Sequence, residues 1–448
     1  MKQISFLINT SINTLDHVKL LLKSLRENLY YPNHEIIVFV DSDNEGTVDF
    51  LREQKKLFKD LKIVTHKLKP CVGYSRNNNL MVELAKHDIC SYLQSDMVIS
   101  RYYDKNILEE LEENCILSAT RIEPPLHGES ETTITKDFGL DPNNFNWDEF
   151  IPFAELNKYD KTLEYFFAPF TFYKKTWLEI GGYDTLFRRS REDSDLLQRF
   201  IHKGVKIKQT FKANVYHFSC VTSRGKNWFD KSNEQVQKRV DLQKIADGIE
   251  LRRFIQKWGN FNHGQNKLVK LDMDLIITED RKLHPMFLVQ LEPYFSRVWL
   301  RSQEERDALI SIFSNEHDPA NELLGFSLED WNLAKKFYRQ TDFESIYKVG
   351  DPEDYNIKVE VDFTKYTGNQ DEFLQNVTRI SMILADGYEP GVYELGLAKI
   401  TIKKVVEISQ DQIKVSNPEF DMSLLTIEED IYFKTQWLRL STHYSILV

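Results

Sequence analysis

The first hundred residues alternate two kinds of hydrophobic pattern, and that alternation limits the fold more than any other feature of the chain. The short apolar runs "ISFLIN", "HEIIVFVDS", "LKIVTHK" and "DICSYLQSD" read as strands. Between them, "LDHVKLLLKSLREN", "TVDFLREQKKLF" and "SRNNNLMVELAKH" carry apolar residues at helical spacing. Strands and helices in this order imply an α/β unit with a mainly parallel sheet and right-handed crossovers. Ligands of such sheets collect beyond the carboxyl ends of the strands. Asp41, Asp43 and Asp96 all fall there.

Residues from Pro124 to Tyr165 are less regular and read as a functional loop. An aromatic-rich strand, a short helix and a Gly-Gly turn follow in "EYFFAPFTFYKKTWLEIGGYD". "VKIKQTFKANVYHFS" is strand material ending near His217, and a long helical segment closes this half near Gly259. From about Asn262 the texture changes. "KLVKLDMDLIIT", "YNIKVEVDF", "RISMILADG" and "LAKITIKKVVEIS" read as strands of a separate α+β unit, so the expected domains are 1–262 and 263–448. The string "LDMD" places Asp272 and Asp274 on one strand face with Lys270, a face expected to be solvated.

A formal charge of −11 argues against a nucleic-acid partner, which would require a basic surface. The four cysteines, Cys71, Cys90, Cys115 and Cys220, form no CxxC and read as buried thiols of a reducing compartment. No run reaches the roughly 18 apolar residues of a membrane span, and "MKQISFLIN" lacks the pattern of a signal peptide. The expectation is a cytoplasmic protein with no transmembrane segment, which would meet any membrane-bound substrate through a peripheral surface or a partner.

The stretch "SREDSDLLQRFIHKG" packs three acids ahead of an amphipathic helix. Ser190 suits a cap, and acids in a first turn complement the helix dipole. Asp193 precedes Leu196, Leu197 and Phe200 at helical spacing and is expected to face the core, with Asp195 facing water beside Gln198, Arg199 and His202. An inward carboxylate must be paired, hydrogen-bonded or used. Capping and chemistry both remain open from this stretch alone. After His217, "SCVTSRGKNW" carries Arg224, Lys226 and Trp228 beside a glycine, which suits a loop closing over a diphosphate and equally a plain surface loop.

Six pieces occur in order: "VDSD", "GYSRNNN", "YLQSD", "EIGGYD", "REDSDLLQRFIHKG" and "VYH". Together they resemble the family-2 glycosyltransferases, which adopt the GT-A fold, over about residues 1–259. The resemblance implies an inverting transfer from a nucleotide-sugar donor to a glycan, lipid-linked or protein acceptor. Asp41, with Asp43 assisting, would meet the nucleotide base, and Thr10 would line the same pocket. Arg76 would sit near the diphosphate, and Arg224 would reach it from the loop after His217. Asp96 matches the last acid of the family's DxD motif, which holds Mn2+ or Mg2+ against the diphosphate. Here Gln94 stands at the first acidic position, with Ser95 between. His217 matches a further metal ligand, Asp193 the general base, and Glu192 an acceptor or structural contact. Two rivals are a sugar- or nucleotide-binding scaffold without turnover and a sugar nucleotidyltransferase. "INTSINTLDH" lacks the Gly-rich basic loop the second would carry.

Overall fold

The computed structural model describes residues 2–68, 72–187, 190–219, 232–261, 266–279, 291–307, 346–362, 379–385, 387–395, 398–408 and 415–428. By internal contacts the chain divides into two compact units. Residues 1–185, 203–240 and 417–448 form the first, and residues 186–202 with 241–416 form the second. This division is discontinuous, whereas the sequence reading draws a single boundary at residue 262.

In the first unit the alternation is realised element by element: β1 (Ile4–Thr10), α1 (Leu15–Asn28), β2 (Glu35–Val40), α2 (Thr47–Leu57), β3 (Leu61–His66), α3 (Tyr74–Leu84) and β4 (Ile89–Gln94). β1 pairs in parallel with β2 and β4, and β2 with β3. Every residue of β2 is buried, as expected of a central strand covered on both faces. Val18, Leu21, Leu22 and Leu25 of α1 form its buried stripe, each stabilising the fold by roughly 1.5–3 kcal/mol.

β5 (Met97–Ile99), α4 (Tyr103–Glu110) and β6 (Cys115–Glu123) follow. The segment expected to be an irregular loop instead contains β7 (Thr133–Thr135), α5 (Trp147–Leu156) and β8 (Thr162–Leu163). Asn146 caps α5 by accepting the Glu149 N–H at 3.2 Å. Phe150, Ile151 and Ala154 pack with Phe138, Ile122 and Tyr216. Aromatic packing therefore orders a stretch whose Pro, Gly and Asn content reads as loop.

β9 (Phe170–Tyr173) and α6 (Lys174–Glu179) come next, and β10 (Lys206–His217) completes the site-bearing strands. The sheet order is β17-β3-β2-β1-β4-β9-β6-β10-β5, with β7 beside β6, β8 beside β10 and β17 at Leu425–Glu428. β9 runs antiparallel between β4 and β6. β10 runs parallel to β6, shifts register between Thr210 and Asn214, and then pairs antiparallel with β5, with His217 opposite Met97. Such an irregularity bends a strand and re-aims its end. β17 closes the β3 edge, tied there by Glu428 to Arg52 at 2.7 Å.

The second unit contains α7 (Glu192–His202), the end of α8 (Glu234–Trp258) and a six-stranded sheet. Its strands are β11 (Met273–Glu279), β12 (Arg297–Leu300), β13 (Tyr347–Val349), β14 (Ile357–Asp362), β15 (Gly391–Leu395) and β16 (Ala398–Ile402), in the order β13-β12-β11-β14-β16-β15. Three expectations are corrected here. "RISMILADG" contributes a helix, α9 (Ile380–Ala385), whose Ile380 and Leu384 are buried one turn apart; a short apolar run does not distinguish strand from buried helix. The "LDMD" face is not solvated. Asp274 is fully buried and accepts from Arg297 Nε at 2.6 Å and Trp299 Nε1 at 2.7 Å, while Asp272 accepts from Arg297 and Asn356. Lys270 is also buried, with its ammonium on the Pro293 carbonyl, and burial pushes its pKa down to about 7.

The third correction concerns α7. Asp195 does not face water: it is fully buried, accepting from Arg199 Nε at 2.9 Å, Trp258 Nε1 at 2.9 Å and Lys257 Nζ at 2.7 Å. Gln198 accepts the Leu268 N–H, and His202 meets the Leu268 carbonyl. The polar side of α7 is covered by residues far along the chain, which helical periodicity cannot register. Burial works to raise the Asp195 pKa, but the charges of Lys257 and Arg199 hold it below the usual range. Replacing Asp195 with Ala leaves both cations without their buried counter-charge. We expect this to destabilise the unit by about 3–5 kcal/mol, measured as a lower urea midpoint. A change below about 1 kcal/mol would contradict the pairing.

Candidate functional site

The site is built by the last turn of sheet topology. Ser95 and Asp96 form the turn between β4 and β5, and pairing of β5 with the end of β10 lays His217 alongside. The Phe218 N–H donates to the Asp96 carbonyl at 3.0 Å, locking the two segments. His217 Nε2 lies 3.7 Å from Asp96 Oδ1, and His217 Nδ1 lies 2.6 Å from Glu123 Oε1. Arg121 Nη1 donates to the same Glu123 oxygen at 3.1 Å. Burial opposes ionisation of Glu123, but the His217 hydrogen bond and the Arg121 charge bring its pKa down to about 2.

Asp96 is 1% exposed, yet neither carboxylate oxygen has a hydrogen-bond partner among the described residues. Gln94 Oε1, at the end of β4, and Ser95 Oγ, in the turn, are also buried and without partners among the described residues. Four acceptor atoms without donors are unusual in a protein interior and suit a cation or a polar ligand. Asp96 and His217 supply one hard oxygen donor and one imidazole. Glu123 orients that imidazole, as carboxylates commonly do behind metal-binding histidines. Among the described residues no group of three or more His, Cys, Asp or Glu is arranged to hold a metal ion. A cation here would draw its remaining ligands from substrate and water, as Mg2+ often does.

The other expected residues separate by role. Asp41, just past β2, accepts from the Val72 N–H at 2.7 Å and from His66 Nε2 at 3.1 Å. It thereby ties the approach to α3 to the carboxyl ends of β2 and β3. Thr10 is buried with its hydroxyl 2.6 Å from that of Thr14. Asp43 accepts four backbone N–H groups, from Glu45, Gly46, Thr47 and Val48, and so caps α2. Burial raises its pKa, but these four bonds lower it further. Arg76, in the first turn of α3, is half-buried with its guanidinium 5.7 Å from the Phe420 ring.

Two of the ordered sequence pieces also meet. Asn79 of α3 accepts the Tyr183 N–H at 2.8 Å and donates to the Tyr183 carbonyl at 2.9 Å. A Cβ at Gly182 would run into Asn79 and Trp177, which explains the glycine in "GGYD". Glu192 and Asp193 open α7, in the second unit. Burial, then the charges of Asp193 and Glu250, push Glu192 well above the usual carboxylate range. Arg224 lies outside the described residues.

Sequence reasoning missed Glu123, Arg121 and His66. The available signal was the acid ending "CILSATRIE", a strand-end position like those of Asp41 and Asp96.

The His66–Asp41 contact titrates. Burial lowers the His66 pKa, but the hydrogen bond and charge of Asp41 raise it more, so the folded value lies above the ordinary 6.5. The stabilisation is then fully present below about pH 6.5 and is lost as pH rises through the folded value. We expect the stability difference between wild type and His66→Gln to shrink over that interval in urea titrations at stepped pH. A difference independent of pH would contradict the assignment.

Residues 8–181 match the family model described as Glycosyl transferase family 2. The matched segment runs from within β1 to just past α6 and contains Asp96; Glu192, Asp193, His217 and Arg224 lie beyond it. The first unit has the expected GT-A arrangement, a large mixed sheet with a parallel nucleus, and the chain adds a second sheet. Among solved structures, GalNAc-T7 with UDP, GalNAc and Mn2+ is similar at 13% identity and a TM-score of 0.37, covering 48% of this chain and 44% of that one. S. aureus TarS is similar at 13% identity and a TM-score of 0.37, covering 58% and 48%. S. aureus TarS 1-349 in complex with UDP is similar at 12% identity and a TM-score of 0.35, covering 57% and 71%. The chain thus spans less than half the length of the first two. No curated protein sequence matches the chain. Among the described residues no helix is long and apolar enough to cross a membrane.

Proposed function

From a glycosyl transferase family 2 segment at residues 8–181, we propose that the protein is an inverting glycosyltransferase. It moves a sugar from a nucleotide-diphosphate donor to an acceptor hydroxyl. The observation that carries this reading is Asp96: a buried carboxylate with no hydrogen-bond donor on either oxygen among the described residues, beside His217, at the carboxyl end of β4. A buried polar group without a hydrogen-bond partner is costly, and a ligand that completes it removes that cost.

Asp96 and His217 would hold a divalent ion, Mn2+ or Mg2+, with Gln94 and Ser95 at its margin. The ion supplies neutralisation of the departing diphosphate. Asp41 and Thr10 receive the nucleoside at the ends of β2 and β1, and Arg76 and Arg224 serve the diphosphate. Asp43 acts indirectly, by fixing the turn after Asp41 through its cap on α2. Asp193 is the general base for the acceptor hydroxyl, a role that rests on the family resemblance. Glu192, whose pKa is raised by burial and its acidic neighbours, is an acceptor or structural contact beside it. The acceptor is a glycan, a lipid-linked sugar or a protein, as in polysaccharide biosynthesis, met in the cytoplasm.

One observation favours a second reading. Gln94 replaces an acid, and the described residues offer only a pair of metal ligands, which suits a nucleotide-sugar-binding protein without turnover.

The test is a thermal-shift panel of nucleoside diphosphates and their sugars, with and without Mn2+. Binding to the native state alone raises its melting midpoint. We expect a rise that requires the ion and disappears in Asp96→Asn. In transfer assays Asp193→Asn should lose about 100- to 10,000-fold in rate while retaining the thermal response. Binding without turnover in wild type would favour the second reading, and a flat panel would remove both.

A further inference from the structure

Beside the Asp96–His217 pair, within the first unit, lies a cavity of about 170 Å³. Its lining includes Arg121, Glu123, His127, Tyr165, Phe167 and Gln209. Two of these carry polar atoms that the protein leaves unused. Arg121, which is 8% exposed, spends Nε on the Ala168 carbonyl and Nη1 on Glu123, and its buried Nη2 has no partner among the described residues. Gln209, which is 2% exposed, spends Nε2 on Thr120 and the Thr132 carbonyl, and its Oε1 is likewise buried and unpartnered. One wall thus holds a donor and an acceptor in search of complements, an arrangement that native interiors avoid unless something fills it.

The opposite chemistry stands beside them. The Phe167 ring is among the exposed large apolar groups and lies within 16° of parallel to Tyr165. The Arg121 guanidinium stacks on Phe167 at 3.4 Å, which fixes its N–H groups in a plane. Aromatic faces with a few fixed planar polar groups suit a ligand that is apolar on one side and hydroxylated at its edge. The charge balance narrows the class. Arg121 is already neutralised by Glu123, and that carboxylate lines the same cavity, so an anionic ligand would meet repulsion. The volume, below the 300–1,000 Å³ of drug-sized pockets, admits one ring and not a chain.

We infer that this cavity is a subsite for one neutral hexose ring of the acceptor, an identification that rests on the sugar-transfer reading. Adjacent hydroxyls meet Arg121 Nη2 and Gln209 Oε1, and the C–H face lies against Tyr165 and Phe167. Glu123 belongs to both places, since the oxygen that holds His217 also holds Arg121.

The test titrates methyl glycosides of glucose, galactose, N-acetylglucosamine and N-acetylgalactosamine, with glucuronate as the anionic control. Binding is read by saturation-transfer NMR on the full chain, with and without UDP and Mn2+. At least one neutral glycoside should bind, and glucuronate should bind more weakly. Phe167→Ala, at an exposed ring, should weaken that glycoside by roughly three- to tenfold, and Tyr165→Ala should do the same. No neutral binding in any condition, preference for glucuronate, or equal affinity in both variants would overturn the subsite. The wild-type response to UDP with Mn2+ tests sugar transfer separately. Glycoside binding sensitive to Phe167→Ala, with no response to UDP or to any other nucleoside diphosphate of the panel, keeps the subsite and removes the transfer reading. A UDP response without glycoside binding does the reverse.

Discussion

The site depends on one antiparallel contact in a sheet whose nucleus is parallel. The parallel strands β1, β2 and β4 bring Thr10, Asp41 and Asp96 to one edge, but this alone leaves Asp96 without company. β10 supplies it by running beside β6, shifting register after Thr210, and pairing its last residues with β5. Val215 and Tyr216 pair with β6 along one edge and with β5 along the other. His217 reaches Asp96 through this pairing with β5, and Glu123 reaches His217 because β6 lies alongside.

This geometry explains which parts of the structure could be read from the sequence. The first four strands and three helices are legible because each helix buries one face on a sheet, leaving a periodic imprint on its own residues. Val18, Leu21, Leu22 and Leu25 show it plainly. Asp195 was misread because its partners, Lys257 and Trp258, come from a distant helix. The imprint of α7 alone gives no hint that its polar side is covered. The "LDMD" face fails for the same reason, since Arg297 of the adjacent strand pairs with both acids.

The candidate site residues divide along a similar line. Asp96 and His217 were visible as strand-end residues within an ordered set of motif pieces, and the fold does place them together. Asp43 has the same kind of position, yet all its geometry goes into four backbone N–H groups at the start of α2. Strand-end acids thus include both site residues and helix caps, and only the hydrogen-bond inventory separates them. Glu123 has the inverse history: nothing marked it beyond the end of an apolar run, and it proves to be the hub between His217 and Arg121.

That inventory also separates stability from binding. In the second unit, Asp195, Asp272 and Asp274 are matched by Arg199, Lys257, Trp258, Arg297, Trp299 and Asn356. Breaking such pairs should cost fold stability, because each removal strands a buried charge. In the first unit, Asp96, Gln94, Arg121 and Gln209 are buried with atoms unmatched among the described residues. No other described group is hydrogen-bonded to those atoms, so a ligand bearing complementary groups can supply the interaction. The unmatched acceptors gather at Asp96, and the unmatched donor–acceptor pair gathers at Arg121 and Gln209. Glu123 is bonded both to Arg121 and to the histidine beside Asp96. Occupancy of either place can therefore bear on the other through a single carboxylate.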